Sequence, residues 1–477
     1  MIELMKKEDL DQVMRIENEA FSRPWSRDYF IHEIEENEFS ELFVYRLNDE
    51  IIGYVDLWYM FENCDLTKIA IRREYRNQGY GDRLLKFAMK LAKDRGCEFM
   101  HLEVNVHNSE ALKLYQKNHF EIVRTRERYY DNRDDAYDML RSLIGIGPRK
   151  VLAIESSCDE TACAIIDEDL KVYASVVTSQ IDVHARFGGV IPEVASRMHV
   201  EQISTIVDQA IKDAGIALED IDAIAYTIGP GLIGSLHVGA TAAKALAFFY
   251  DKPLIGVHHL KGHIFVNEMI KPLEYPLMAL VVSGGHTELV YVENDRDFRI
   301  IGTTLDDAIG EAYDKVARIM HEAYPGGPVI DRLAKEGKPS YPLPTPKVGD
   351  LDFSFSGLKN AVNVLVRKET EKGNEINKND LACSFQETAL NCLVSKTKKA
   401  LEKYPCKCLV LAGGVAANSR LRELMTEQFT DIGLILPPLK YCTDNALMIA
   451  CAALHYLKYE HYVPLDASSQ PNMSIED

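Results

Sequence analysis

The chain has 477 residues, of which 47% are hydrophobic and 27% charged, and its net charge is −19. That length exceeds one ordinary core and predicts about three domains of a soluble globular protein. Neither the first 148 residues nor the remainder is net basic. A wholly basic nucleic-acid surface is therefore excluded, and any RNA contact must use a local patch or a partner.

Lys6 and Lys7 precede no apolar run, so no signal peptide is expected, and no later run reaches membrane-spanning length. Residues 3–18 predict a strand leading into a helix. An aromatic turn with Phe21, Pro24 and Trp25 ends at Ser26, a capping residue for a second helix. Strands are expected at 42–46 and 51–59, around an Asn48-Asp49 turn, and at 66–71. The last of these runs into Arg76-Asn77-Gln78-Gly79-Tyr80-Gly81, which opens a helix over 82–95. The two glycines let backbone N–H groups converge on an anion at the helix N-terminus, where the dipole favours a diphosphate; an ordinary left-handed turn gives the same pattern. A strand at 99–104, a helix at 108–117 and a strand at 120–124 follow, with Glu103 and Tyr115 able to reach one cleft.

In element order and residues this segment resembles the GNAT acetyltransferase fold, and within it the ribosomal-protein-alanine N-acetyltransferase (RimI-like) family. The matching residues are Phe21, Pro24, Trp25 and Ser26; Arg76, Gly79 and Gly81; Leu102-Glu103-Val104; Asn108; Ala111, Leu114 and Tyr115; and Tyr129-Tyr130. The resemblance implies Glu103 as a water-relayed general base and Tyr115 as the acid for a departing thiolate. It also implies acetyl-CoA held by Asn108 and the loop of Arg76, Asn77, Gln78, Gly79, Tyr80 and Gly81, with Ile69, Ala70 and Ile71 bonding the pantetheine. The acceptor would be the N-terminus of a ribosomal protein, whose α-amine, with a pKa near ~8, needs only a modest base. Three departures bear on peptide specificity: Lys68 for the usual Asn, Arg72-Arg73 for a His-Pro pair, and His119 for Gly.

Glycines 145 and 147 with Pro148 interrupt the pattern, and a fresh strand begins at Val151. Two domains are therefore expected, 1–146 and 149–477, the second with two lobes. Strands at 151–154 and 161–166 flank Glu155-Ser156-Ser157-Cys158-Asp159-Glu160, and strands at 277–282 and 288–292 flank Ser283-Gly284-Gly285-His286-Thr287. This weak internal repeat would set two small-residue hairpin tips face to face as a phosphate clamp. A third glycine element, Gly413-Gly414-Val415-Ala416-Ala417-Asn418, follows a strand and opens a helix. Together they suggest an α/β bilobal nucleotide-binding fold of the actin, Hsp70 and sugar-kinase type.

Between the two hairpins, a strand at 253–257 enters Val257-His258-His259-Leu260-Lys261-Gly262-His263, with a helix running on through 264–270. His259 and His263, four apart, share one helix face and suit a first-row metal, but two ligands are too few. Asp444, in Cys442-Thr443-Asp444-Asn445, is the best third ligand, read as the N-cap of an apolar helix. Polar helix-start histidines without a metal are the plain alternative. A zinc protease is excluded, because Leu260 stands where its catalytic Glu would be. Residues 369–380 read as an exposed loop and 464–477 as a poorly packed tail. Ten cysteines without a CxxC pair predict reduced, buried thiols in a cytoplasmic protein.

The second part resembles the tRNA threonylcarbamoyladenosine transferase (TsaD) family, through the motifs just quoted together with Gly229-Pro230-Gly231, Gly310-Glu311-Ala312-Tyr313-Asp314-Lys315 and Tyr324-Pro325-Gly326-Gly327-Pro328. The resemblance implies one metal per chain, iron(II) or another divalent ion, on His259, His263 and Asp444. It implies threonylcarbamoyl-AMP bound by Val281, Val282, Ser283, Gly284, Gly285, Asp314, Gly327, Asp331 and Asn418. It also implies tRNA as acceptor, with a paralogous subunit and an ATPase as partners. Lys261 departs from the usual Glu. An ATP-dependent phosphotransferase or ATPase of the same superfold, or a metal-dependent scaffold subunit, are the alternatives.

Overall fold

The computed structural model describes residues 2–47, 50–130, 134–144, 148–346 and 348–477. The chain packs as two compact units, Met1–Gly147 and Pro148–Asp477. The expected turn at Asn48-Asp49 and the break at residues 145–147 lie outside the described residues. No described helix is long and apolar enough to cross a membrane, and all ten cysteines are free thiols.

The first unit is one seven-stranded sheet: β1 (Ile2–Leu4), β2 (Ser40–Leu47), β3 (Glu50–Met60), β4 (Asn63–Ile71), β5 (Phe99–Asn105), β6 (Glu121–Tyr130) and β7 (Asp134–Ser142), in the order β1-β2-β3-β4-β5-β7-β6. β7 has no counterpart among the expected strands. Its charged residues leave only Ala136 and Met139 fully buried, too thin an alternation to read in sequence. In β5 the two-residue period sends Met100, Leu102 and Val104 into the core and leaves Glu103 on the other face. β4 and β5 run parallel but pair only from Asn63↔Phe99 to Asp65↔His101, while β4 stays paired to β3 as far as Ile71. The sheet therefore splays between β4 and β5 beyond Asp65. Helix Tyr80–Asp94 closes one face of the sheet with Leu84, Leu85, Ala88, Met89 and Ala92.

The second unit contains two five-stranded sheets of identical order. One is built from β8 (Lys150–Glu155), β9 (Glu160–Asp167), β10 (Val172–Ser179), β11 (Ala223–Gly229) and β12 (Leu254–His258), ordered β10-β9-β8-β11-β12. The other comprises β13 (Leu277–Val282), β14 (Thr287–Asn294), β15 (Asp297–Thr303), β16 (Cys408–Ala412) and β17 (Gly433–Ile435), ordered β15-β14-β13-β16-β17. In both, three antiparallel strands are followed by two parallel ones. The repeat first visible as two hairpin tips thus extends to whole sheets. Both faces of each sheet are covered, so the central strands read as continuous apolar runs. In β13, Leu277, Ala279 and Val281 face a core shared with β8, whereas Met278, Leu280 and Val282 face the helices of the second sheet. Helix Ala446–Lys458 is apolar nearly all round because it is buried in that shared core.

Two expectations are corrected. Residues 369–380 are not one exposed loop: helix Ser356–Glu371 and helix Lys378–Lys403 take both ends of the stretch, the second capped by the Asn377 side chain. Nor is 464–477 a loose tail. Gln470 N donates to the Ile228 carbonyl at 2.7 Å, Ile300 N on edge strand β15 donates to Glu476 Oε1 at 2.8 Å, and Ile475 is 1% exposed. A polar segment packs tightly here because sheet edges present backbone groups that need partners.

Candidate functional site

In the second unit, the β8–β9 and β13–β14 hairpin tips line one cleft of about 630 Å³. Its floor is the start of helix His259–Phe265 and the Thr443-Asp444 turn. His258, which ends β12, caps that helix: its Nδ1 accepts from Leu260 N at 3.2 Å, and its Nε2 donates to the Met473 carbonyl at 3.2 Å. Burial, reinforced by Lys261, pushes His258 down to about 3, so it stays neutral.

His259 and His263 lie one turn apart with ring centroids 4.9 Å from each other. Asp444 Oδ1 stands 3.1 Å from His263 Nε2 and 3.4 Å from His259 Nε2. One donor atom from each of the three residues lies within 4.8 Å of the others. Asp444 is not the helix cap: Asn445 takes that place, accepting from Met448 N at 3.2 Å. The Asp444 carboxylate is thereby spared for the imidazoles. On the far side of His259, Nδ1 lies 3.2 Å from Glu155 Oε2 and 3.1 Å from Ser157 Oγ.

Burial alone would raise Asp444, yet the facing His259 and His263 hold it far below the carboxylate range. Burial alone would lower His259, yet Asp444 and Glu155 raise it well above the usual imidazole value. Burial and the charge of His259 and His263 push His286, at the second hairpin tip, down to about 4. Two Nε2 atoms and a carboxylate oxygen converging in a buried floor fit a first-row divalent metal, iron(II) included. His259 Nδ1 is already engaged, and His263 Nδ1 is buried without a hydrogen-bond partner among the described residues, which leaves both Nε2 atoms facing the convergence point.

A second cavity of about 550 Å³ adjoins the cleft, sharing Gly284, Asp314, Gly414 and Thr443 with it. Asp314, Gly327, Asp331 and Asn418 line it. Asp314 Oδ1 accepts from Gly326 N at 2.7 Å, and Asp331 accepts from Ser419 and Gln386. Asn418 caps helix Ser419–Gln428 through its oxygen and donates to Gln386 Oε1 at 2.8 Å. Ser283, Gly284 and Gly285 line the first cleft, whereas Val281 and Val282 are fully buried in β13 and bring only backbone near it. Sequence reasoning missed Arg318, which lines the cleft and donates to the Gly188 carbonyl. It lies one helical turn past Asp314, so the i, i+4 spacing was the available signal.

In the first unit a cleft of about 1070 Å³ opens where β4 and β5 part, lined by Phe21, Trp25, Lys68, His101, Glu103, Arg126 and Tyr129 among others. Glu103 pairs with Arg126 at 2.6 Å, and Arg126 also bonds Asp138 at 2.9 Å. Neither Arg126 nor Asp138 was singled out from sequence, because Asp138 lies on the unanticipated β7. Lys68 Nζ sits 2.9 Å from the buried Glu17 and 3.7 Å from the Phe21 ring centroid. Tyr115 is not among the residues lining this cleft: it is 6% exposed and packs against Phe120. Gly79, left-handed at φ +84°, precedes helix Tyr80–Asp94, and Arg76 Nε donates to the Ile71 carbonyl at 2.9 Å. Asn77 has φ +59°, and Gln78 donates to the Glu74 carbonyl at 2.8 Å. Gly81 lies against Ile71 and Leu114, and Ile69, Ala70 and Ile71 form the part of β4 that no longer pairs with β5. Asn108 caps helix Ser109–Lys117, accepting from Ala111 N at 3.2 Å.

Residues 171–451 match the family tRNA N6-adenosine threonylcarbamoyltransferase, and residues 10–120 match the acetyltransferase (GNAT) family. The chain belongs to the tRNA N6-adenosine threonylcarbamoyltransferase family. A member from Halalkalibacterium halodurans is 51% identical over 331 residues, 69% of this chain and 96% of the relative. One from Streptococcus pneumoniae is 50% identical over 330 residues, 69% of this chain and 98% of the relative. Among solved structures, a ribosomal-protein-alanine N-acetyltransferase from Escherichia coli aligns with 30% of this chain and 93% of its own, at 27% identity and a TM-score of 0.29. The two family matches place a GNAT-type unit before the threonylcarbamoyltransferase part, and the chain is a transferase in both.

Proposed function

We propose that the second unit transfers threonylcarbamoyl from threonylcarbamoyl-AMP to the tRNA adenosine beside the anticodon, and that the first acetylates the N-terminal alanine of a ribosomal protein from acetyl-CoA. The observation that carries the first reading is the convergence of His259, His263 and Asp444 beside a cavity lined by Asp314, Asp331 and Asn418, in a part of the chain half identical to named threonylcarbamoyltransferases. The twin sheets of equal strand order support an actin, Hsp70 and sugar-kinase-like fold.

In this reading His259, His263 and Asp444 hold one iron(II) or other divalent ion, which supplies Lewis-acid polarisation of an acyl oxygen. The adenosine N6 attacks the carbamoyl carbon, a C–N bond forms, the mixed-anhydride C–O bond breaks, and AMP leaves. The N–H groups of Gly284 and Gly285 receive the phosphate, Asp314 and Asp331 the ribose, and Asn418 the base. Burial and the Asp444 and Asp159 carboxylates push Glu160 up, and Asp159 or Glu160, both lining the cleft, would accept the proton from N6. A paralogous subunit, an ATPase and a local patch would carry tRNA on this acidic chain, in the cytoplasm. Nucleoside mass spectrometry on a reconstituted mixture of tRNA, threonylcarbamoyl-AMP and partner proteins should detect modified adenosine. Free ATP hydrolysis without it would favour the phosphotransferase reading.

For the first unit, the unpaired edge of β4 at Ile69, Ala70 and Ile71 offers backbone groups to pantetheine, and the 76–81 turn and Asn108 offer donors to the diphosphate. Glu103 would relay the α-amine proton through water, and Tyr115 would protonate the departing thiolate. Segments 1–146 and 149–477 are proposed to fold separately, and expressing each should give a cooperative melt.

A further inference from the structure

We propose that Glu155 is a positioning residue for the metal floor: its buried carboxylate holds the His259 ring so that Nε2 is presented to Asp444 and His263. This rests on the metal reading above and extends it to a residue that is not a ligand.

Glu155 is the last residue of β8 and has no solvent exposure. Strands β8 and β11 are parallel, with Ile154 opposite Tyr226, so the next residues, Glu155 and Thr227, lie side by side. Thr227 Oγ1 donates to Glu155 Oε2 at 2.6 Å, and His259 Nδ1 lies 3.2 Å from that same oxygen. Ser157 N donates to the other oxygen, Oε1. Three donors thus converge on one carboxylate, and no described lysine or arginine pairs with it. A buried carboxylate without such a partner is costly unless its neighbours satisfy it. Among the described residues its only partner able to carry positive charge is His259. With Nδ1–H given to Glu155, Nε2 is the nitrogen left for a metal, the arrangement by which an outer carboxylate fixes the tautomer of a ligating histidine.

A glutamine of the same shape cannot reproduce this arrangement. An amide NH₂ at the Oε1 position would face the Ser157 N–H, donor against donor. At the Oε2 position it would donate to Nδ1 and force the proton onto Nε2, the nitrogen aimed at the floor.

The test uses the full chain, stripped of metal, titrated with cobalt(II) and followed by visible absorption. The wild type should take up one cobalt(II). Glu155→Gln should bind it roughly 10- to 100-fold more weakly and with a changed ligand-field spectrum. Thr227→Val, which removes one donor and keeps the carboxylate, should shift both readouts less and in the same direction. Wild-type protein that binds no cobalt(II) overturns the metal reading itself. Wild-type binding with unchanged affinity and spectrum in folded Glu155→Gln overturns the positioning role alone. Should that variant not fold, an unchanged Thr227→Val does the same.

Discussion

Glu103, the proposed base of the first unit, and Asp444, a proposed metal ligand of the second, sit in sharply different surroundings. The Glu103 side chain is 31% exposed and paired with Arg126, on a strand face that opens where the sheet splays. Asp444 faces two imidazoles whose side chains are 10% and 0% exposed. A half-exposed carboxylate can exchange protons with water, and altering it disturbs little else. A buried cluster must balance its own charges, so each member depends on its neighbours and the site becomes part of the core.

The largest effect is expected at the buried cluster. His263→Ala should abolish stoichiometric metal in the purified protein, because two remaining ligands grip too weakly. Metal analysis beside the parent checks this, and unchanged stoichiometry would remove His263 from the ligand set. At the open cleft the same logic predicts loss of rate with the fold intact. Glu103→Gln should slow acetylation roughly 10²–10⁴-fold, with a smaller defect at high pH where the α-amine is already neutral. A defect independent of pH would sink the general-base role.

The first unit has a buried charge of its own, placed beneath the aromatic turn. Glu17 is fully buried and Lys68 bonds it at 2.9 Å. Lys68→Met should therefore cost about 3–5 kcal/mol by leaving the buried carboxylate without its cation, measured by urea unfolding. A cost below ~1 kcal/mol would mean that Trp25 N and the Tyr54 hydroxyl, which also donate to Glu17, satisfy it unaided.

The smallest effect is expected at His455, which bridges Glu268 and Asp295 in the second unit. Burial opposes its charge, but the two carboxylates raise it above the ordinary value. A raised folded-state value means stability that is fully present below about pH 6.5 and lost as pH climbs through the raised value. The stability difference between parent and His455→Gln should shrink over that rise. A pH-independent difference would show that His455 acts by packing alone, through its stack on Phe265 at 4.0 Å.

Much of both sites was legible because it depends on local order. HxxxH spacing puts two imidazoles on one helix face, glycine turns precede helices, and Glu103 stands near the end of a strand that can reach a cleft. Other features escaped because their signal is not local. β7 is too polar to show a period, and the 464–477 segment looks loose until the sheet edges it satisfies are present. The cap role of Asn445 rather than Asp444 depends on one residue of helix phase, finer than a pattern resolves.

The sequence by itself determined two α/β parts in series, the candidate ligand residues and the family, since ordered motifs record element sequence and chemistry together. Only the tertiary structure decided that His258 turns toward Met473 while His259 turns toward Asp444, although the two are adjacent. It also decided that Glu155, remote in sequence, lies against the His259 ring, and that Tyr115 is nearly buried while Glu103 lines a cleft. Which way a side chain points depends on what fills the space around it. That space is enclosed by strands and helices more than a hundred residues apart, and only packing brings them together.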